Sequence, residues 1–292
     1  MKILVIGANG FVGRVCVATM LARGHEVDVL DLADFGYFNG TGIHRFHTCD
    51  IVTPFTLTES FDALVHLAAY NVTHIGDTEA SMYTRVNVDG TANLLSGVRA
   101  RRFVFLSTTK VYRKRAGFIT EESEVDPQQP YERTKRLAEE LCLRMWDNKE
   151  LVILRSVNAS GPSQPEKAVI PVFFARAMSG EPIKVFGPRG AWLQFVYVDD
   201  LARALEMAAA TPGTNGVFNV ASDDAVRLED LALMVKKICR SSSPICFTDE
   251  RFEPKVEISS DKIKERLGWR PSIALEEALN RYYEYYAQQR QA

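Results

Sequence analysis

The chain has 292 residues, 46% of them hydrophobic and 25% charged, with a formal net charge of −2 at pH 7. That length allows one large domain or two interlocked ones around an ample core. The near-neutral balance leaves no electrostatic footprint for nucleic acid or for an anionic membrane surface.

Five cysteines (Cys16, Cys49, Cys142, Cys239 and Cys246) are scattered, without a Cys-x-x-Cys or a partner histidine at metal-ligand spacing. They point to reduced thiols, against both a disulfide framework and a structural zinc, and no metal is expected. Reduced thiols in turn make a cytoplasmic location the expectation. The opening "MKILVIGANG" is too short an apolar run for a signal-peptide core and reads as a buried strand. No segment approaches transmembrane length.

In chain order, "KILVIGA" is followed by a helix over about Phe11–Arg23 and then by "HEVDVLD". A short strand ends near Cys49–Ile51, "ALVHLAA" comes next, and a helix is predicted near Ser81–Arg99. "RFVFLST", a helix opened by Pro130, and "ELVILRS" complete the first half. Continuous apolar runs suit strands covered on both faces, so the pattern predicts an α/β fold with a Rossmann-type doubly wound parallel sheet. After Arg155 the Pro- and Gly-punctuated text predicts a smaller, mixed substrate-binding domain. "FVYVDDLARALEMAA" reads as a return to the main sheet followed by a helix, and "GVFNVAS" as another strand. The expected division is a Rossmann domain over 1–157, with 192–222 returning to it, and a smaller domain from 158–191 and 223–292. The aromatic "RYYEYYAQQR" reads as a tail helix docked on the body.

"VIGANGFVG" places Gly7, Gly10 and Gly13 at three-residue steps between a strand and a helix. The first permits a tight turn, the second lets backbone approach a pyrophosphate, and the third allows close helix–sheet packing. A second strand ends in Asp31, where a carboxylate accepts hydrogen bonds from a ribose diol and repels a 2′-phosphate. Leu32 comes next without an adjacent cation, which favours NAD over NADP. The plain alternative is a glycine-rich turn without a ligand.

Tyr131 and Lys135 in "PYERTKRLAEEL" lie four apart and share a helix face. With ten tyrosines in the chain, such a pair also arises readily by chance, so the neighbouring motifs have to decide. Those motifs are "GANGFVG", Asp31, "CDI" (Cys49–Ile51), "HLAA" (His66–Ala69), "NVDGTANLL" (Asn87–Leu95), "FLSTTKVY" (Phe105–Tyr112), "PYERTKRLAE", "LRSVNASGP" and "FVYVDDLARA". In that order the chain resembles the extended short-chain dehydrogenase/reductases, in the branch of NAD-dependent sugar-nucleotide epimerases and dehydratases.

The resemblance implies a catalytic trio of Thr108, Tyr131 and Lys135. Lys135 and a nicotinamide ring would bring the phenol down from a pKa near ~10. Tyr131 would take the proton of a substrate hydroxyl as hydride leaves the same carbon, while Thr108 holds the oxygen. It implies cofactor contacts from the loop (Gly7, Asn9, Gly10, Phe11, Val12, Gly13), from Asp31, and from Asp50 and Ile51 at the adenine. Leu67, Ala68 and Ala69 would line the channel, with Tyr131 and Lys135 at the nicotinamide. Asn87 would orient the site and Asn158 contact the substrate; alternatively each is a satisfied polar residue supporting a turn. Val169 opens the family's substrate-domain wording. A homodimer packed through helices near Asp89–Arg99 and Tyr131–Trp146 is also implied.

Two departures bear on function. The dehydratases of this branch carry acidic residues after the catalytic Thr, where this chain has Thr109 and Lys110, which argues against elimination. Relatives that hold a nucleoside diphosphate usually carry Arg-Asp before the "FVYVDD" strand, where Leu193 and Gln194 stand. Arg189, Arg251 or the "RKR" of Arg113–Arg115 would have to supply the cation instead, although "RKR" also reads as solvated surface. The expected activity is epimerisation of a nucleotide sugar, at C4. The alternatives are a net dehydrogenase or reductase of a sugar or small alcohol, and a non-catalytic NAD-binding scaffold.

Overall fold

The computed structural model describes residues 1–71, 80–146, 150–252 and 255–289, with the side chains of 187–189 and 250–252 outside that description. The first half comprises β1 (Lys2–Ile6), α1 (Phe11–Ala22), β2 (Glu26–Asp31), β3 (Arg45–Thr48), β4 (Ser60–His66), α2 (Ala80–Thr84), α3 (Gly90–Gly97) and β5 (Arg99–Thr108). Next come β6 (Gly117–Ile119), α4 (Pro130–Met145), β7 (Glu150–Ser156), β8 (Asn158–Ser160) and α5 (Val169–Ser179). The remainder is β9 (Ile183–Arg189), β10 (Trp192–Tyr197), α6 (Val198–Ala210), β11 (Gly216–Val220), β12 (Ala225–Arg227) and α7 (Leu228–Ile238). It closes with β13 (Ile245–Phe252), β14 (Val256–Ile258), α8 (Asp261–Leu267) and α9 (Leu275–Gln289).

The apolar runs form one seven-stranded sheet in the order β3-β2-β1-β4-β5-β7-β11, parallel throughout. Residues such as Val5 and Leu64 are fully buried because helices cover both faces. Cys16, Val17 and Met20 of α1 pack with Leu201, Leu205 and Ala208 of α6 on one side. Leu94 of α3 and Ala138, Cys142 and Trp146, on and just after α4, pack on the other. The order reverses between β1 and β4, the place where open α/β sheets leave a crevice beyond their strand ends.

A third core joins α5, α7, α9 and β9, with Phe174 against Tyr282 at 5.0 Å, so the aromatic tail is a docked helix. Small two- and three-stranded sheets surround this part, one of them mixed. No described helix is long and apolar enough to cross a membrane. All five cysteines are free thiols.

Two readings need correcting. The segment predicted as one helix near Ser81–Arg99 divides into α2, a π turn over Arg85–Asp89, and α3, and Arg99 already belongs to β5. Gly97 ends α3 because the backbone of Phe55 crosses there; a Cβ on Gly97 would lie 2.1 Å from the Phe55 carbonyl oxygen. The strand in "FVYVDD" does not return to the main sheet. β10 pairs with β8 and β12, because the place beside β7 is taken by β11. From 192–222 it is α6 and β11 that enter the large layer.

Asp200 fixes the start of α6 to the chain beyond α8. Its buried carboxylate accepts the Ser272 hydroxyl (2.7 Å), the Ser272 and Ile273 N–H groups (2.8 and 3.0 Å) and the Arg203 guanidinium (2.7 Å). The Trp269 indole donates to its backbone carbonyl at 2.8 Å. Asp200→Ala leaves these donors without their acceptor and is expected to cost roughly 2–4 kcal/mol. Urea unfolding should show a lower midpoint at an unchanged slope.

Candidate active site

The loop after β1 is bare backbone by necessity. Gly7 has φ +82°, and a Cβ there would sit 2.5 Å from the Ala68 nitrogen. A Cβ on Gly13 would lie 2.3 Å from the Gly7 carbonyl oxygen and 2.6 Å from that of Ala8. Gly10 caps α1, its N–H on the Gly7 carbonyl at 3.3 Å and its own carbonyl accepting from Arg14 at 3.0 Å. Phe11 and Val12 begin the helix, part-exposed. The free N–H groups at this helix start form an anion-binding end.

Asp31 closes the cradle from β2. One carboxylate oxygen accepts the Asn9 N–H and the other the Leu32 N–H, both at 2.8 Å, while the Asn9 amide holds the Ala33 carbonyl at 2.7 Å. A carboxylate so oriented has lone pairs left for a diol. Asp50 makes its own turn by accepting from Val52 N–H at 3.0 Å, and Ile51 is buried beneath α3. Leu67 and Ala68 donate to the Ile6 carbonyl at 2.9 and 3.1 Å, which sets 67–69 along the loop, part-exposed. A dinucleotide fits this set: a glycine cradle that side chains would fill, a helix start, and a carboxylate one strand over.

Thr108 ends β5 and caps the short 3-10 turn Thr109–Val111, accepting the Lys110 N–H at 3.2 Å. Tyr131 and Lys135 stand on the first turns of α4, which packs against β5 and that turn. Pro130 opens the helix, and the Glu132 carboxylate accepts the Gln128 and Gln129 N–H groups, each at 2.9 Å.

Lys135 is 2% exposed, with Nζ 4.0 Å from the centre of the Phe105 ring. Burial pushes its ammonium down to about 8, against smaller opposing pulls from Cys142 and Glu139. Burial, with a lesser push from Tyr83, raises the Tyr131 phenol to about 12. Desolvation thus governs both groups, and the expected lowering of Tyr131 involves Lys135 and a nicotinamide ring together.

Below the pair lies a buried ionic hub. Glu139, one turn beyond Lys135, accepts from the Ser107 hydroxyl (2.5 Å) and from two Arg155 nitrogens (2.9 and 2.6 Å), with Arg136 at 3.2 Å. Arg155 stacks on Tyr112 at 4.7 Å, and the Tyr112 hydroxyl donates to Asn219 at 2.8 Å. Sequence reasoning passed over Glu139, although its four-residue step from Lys135 puts it on the same helix face.

Asn87 lies in the π turn, 2% exposed. Its amide accepts the Tyr70 N–H (2.7 Å) and donates to the Tyr70 carbonyl (3.1 Å) and to Thr134 Oγ1 (3.0 Å), tying the end of the β4 loop to α4. It thus supports a turn and orients the helix at once. Thr91 donates to the Asn87 carbonyl at 2.8 Å and so accepts from His66 Nε2 at 3.0 Å. Burial holds the His66 pKa down to about 3, leaving a neutral ring behind Phe105.

Asn158 begins β8 and its side chain bonds to no other described residue; Val169 opens α5, part-exposed. The side chains of Arg189 and Arg251 lie outside the described residues. Arg113 is engaged by Glu124 (2.9 and 2.8 Å) and Asp126 (3.5 Å), and Arg115 reaches Ser123 at 3.3 Å. Gln194 donates to the carbonyls of Ser222 (2.9 Å) and Ile258 (3.2 Å) and accepts the Ile258 N–H (2.6 Å), so it ties β10 to β14 and to the loop after β11.

A family model described as the NAD dependent epimerase/dehydratase family matches residues 3–221. The trifunctional UDP-glucose 4,6-dehydratase/UDP-4-keto-6-deoxy-D-glucose 3,5-epimerase/UDP-4-keto-L-rhamnose-reductase of Arabidopsis thaliana is 28% identical over 98% of the chain. The chain spans about half of that relative's length, 47%. The UDP-glucose 4-epimerase of Thermotoga maritima, solved with UDP-glucose, is similar with a TM-score of 0.86 and 26% identity over 99% of both chains. The UDP-glucuronic acid 4-epimerase of Bacillus cereus, solved with NAD, has a TM-score of 0.87 and 25% identity, over 100% of this chain and 98% of the other.

The buried ammonium has a measurable consequence. Below pH 8 Lys135 is protonated in folded and unfolded chains alike, and the folded state bears the whole burial cost. Between pH 8 and 10.5 the unfolded chain holds the proton more tightly, so that cost is relieved as pH rises. Lys135→Met, which keeps the volume and drops the charge, is expected to stabilise the protein without cofactor by roughly 3 kcal/mol at pH 7. Urea midpoints should show this gain shrinking toward zero near pH 10.5.

Proposed function

The chain belongs to the NAD-dependent epimerase/dehydratase family, and on that footing we propose that it epimerises a nucleotide sugar at C4 through a transient keto intermediate. Its cofactor is NAD, which the loop of Gly7, Gly10 and Gly13 and the Asp31 carboxylate would hold and which would supply a reversible hydride acceptor. The remaining chemistry belongs to the chain's own groups. Tyr131 takes the proton of the sugar hydroxyl and later returns it. Thr108 Oγ1 holds the same oxygen, and Lys135 stabilises the deprotonated phenol once the site is filled.

The observation that carries epimerisation is the makeup of the turn after Thr108. Thr109 and Lys110 form that turn, with no carboxylate among them to remove or deliver the protons that elimination of water requires. The similarity to two 4-epimerases, one solved with UDP-glucose and the other with NAD, supports a uridine diphosphate sugar.

A second reading is a dehydrogenase or reductase acting without a nucleotide handle. It is favoured by Gln194, whose amide is wholly engaged by Ser222 and Ile258, and by its neighbour Leu193, which offers no charge for a pyrophosphate.

Proton NMR of reactions with UDP-glucose, UDP-glucuronic acid and dTDP-glucose separates the readings. Epimerisation yields the C4 epimer with no net NADH. A 4-keto-6-deoxy product would contradict the proposal, and NADH formed in step with product would favour the second reading. Tyr131→Phe is expected to slow turnover by about 10³-fold or more while NAD affinity stays within about twofold. Unchanged turnover in that variant would sink both readings.

A further inference from the structure

β2 carries a charge where its neighbours predict none. Asp28 is fully buried between Val27 and Val29 in a strand whose other inner residues are apolar. Such a carboxylate must be matched by donors or a cation. One of its oxygens lies 2.7 Å from His44 Nδ1, just before β3, and the other lies 2.9 Å from His47 Nε2 on β3. His44 Nδ1 is also 3.9 Å from a Glu26 carboxylate oxygen, and the donor atoms of Glu26, Asp28 and His44 all lie within 4.8 Å of one another.

We propose that Glu26, Asp28 and His44 bind a divalent first-row transition ion of the Zn²⁺ type. Bonds of about 2.0–2.1 Å in a tetrahedral shell set donor atoms about 3.3 Å apart. The spacings of 2.7 and 3.9 Å bracket that value and the third lies within 4.8 Å, so the shell closes as the exposed Glu26 side chain moves inward. Asp28 is the fixed ligand; His44 and Glu26, at 45% and 51% side-chain exposure, are free to adjust and leave the fourth position to water. Two carboxylates with a neutral imidazole cancel the charge of the ion. The imidazole selects zinc-like ions over Mg²⁺ or Ca²⁺, which prefer all-oxygen shells. His47 donates to the second Asp28 oxygen and orients it, the outer support that ligating carboxylates commonly have.

Glu26 and Asp28 occupy the first half of β2, whereas Asp31 ends it, so the ion sits toward the far end of the sheet from the cofactor loop. There it would clip the edge strand β3 to β2, a structural role independent of the proposed reaction. Lys2 Nζ, 3.8 Å from Glu26, is the cation that competes for the site.

The test is calorimetric titration of chelator-treated, full-length protein with ZnCl₂, with MgCl₂ as control. The wild type is expected to take up one Zn²⁺ with micromolar affinity and to gain thermal stability on doing so. Mg²⁺ should produce neither effect. His44→Ala and Glu26→Gln, both at exposed positions, should each weaken binding about tenfold or more and lose the stabilisation. The absence of saturable binding would overturn the proposal. So would equal affinity in both variants, which would place the ion on the exposed Cys246 thiol or elsewhere.

Discussion

A carboxylate taken out of water must be met on every side, and at Glu139 three elements meet it. Ser107 of β5, Arg155 of β7 and Arg136 of its own helix all converge on one side chain that is fully buried. An ion pair in such a place contributes little net stability, because desolvation offsets the attraction. Its effect is geometric. Loss of either partner would strand a charge, so α4 can neither rotate nor slide relative to β5 and β7. Thr108 ends β5, and Tyr131 and Lys135 lie two turns and one turn before Glu139, so the register of the proposed catalytic trio depends on this one carboxylate.

The same burial shifts both members of the pair. With the phenol near 12 and the ammonium near 8, desolvation moves each group toward its neutral form. A phenol in that state is a poor base at neutral pH. A bound NAD would bring a positive ring, and a cation beside the phenol lowers its pKa. In the proposed reaction, proton abstraction by Tyr131 would therefore depend on the cofactor's charge beside it.

Much of this was legible in the chain. The main strands, the glycine loop and Asp31 are local signals: continuous apolar runs, turn residues and a fixed spacing. The features that could not be read depend on partners distant in sequence. The π turn at Asn87 arises with its contacts to Tyr70 and Thr134, and the end of α3 at Gly97 with the passage of Phe55. "FVYV" has the apolar text of a core strand, and only the presence of β11 beside β7 keeps β10 out of the large sheet. Gln194 was visible as a departure, but its bracing role needs Ile258, which is 64 residues away. The pairing of Glu26 and Asp28 with His44 and His47 leaves no sequence signal, because it forms only when β3 lies beside β2.

The most direct measurement is the nucleotide released when the purified protein is denatured. An enzyme that returns its hydride within each cycle has no need to exchange cofactor, and the Asp31 carboxylate would repel a 2′-phosphate. The account predicts close to one NAD per chain and no NADP. An empty protein that binds added NAD weakly, or one that releases NADP, would contradict it.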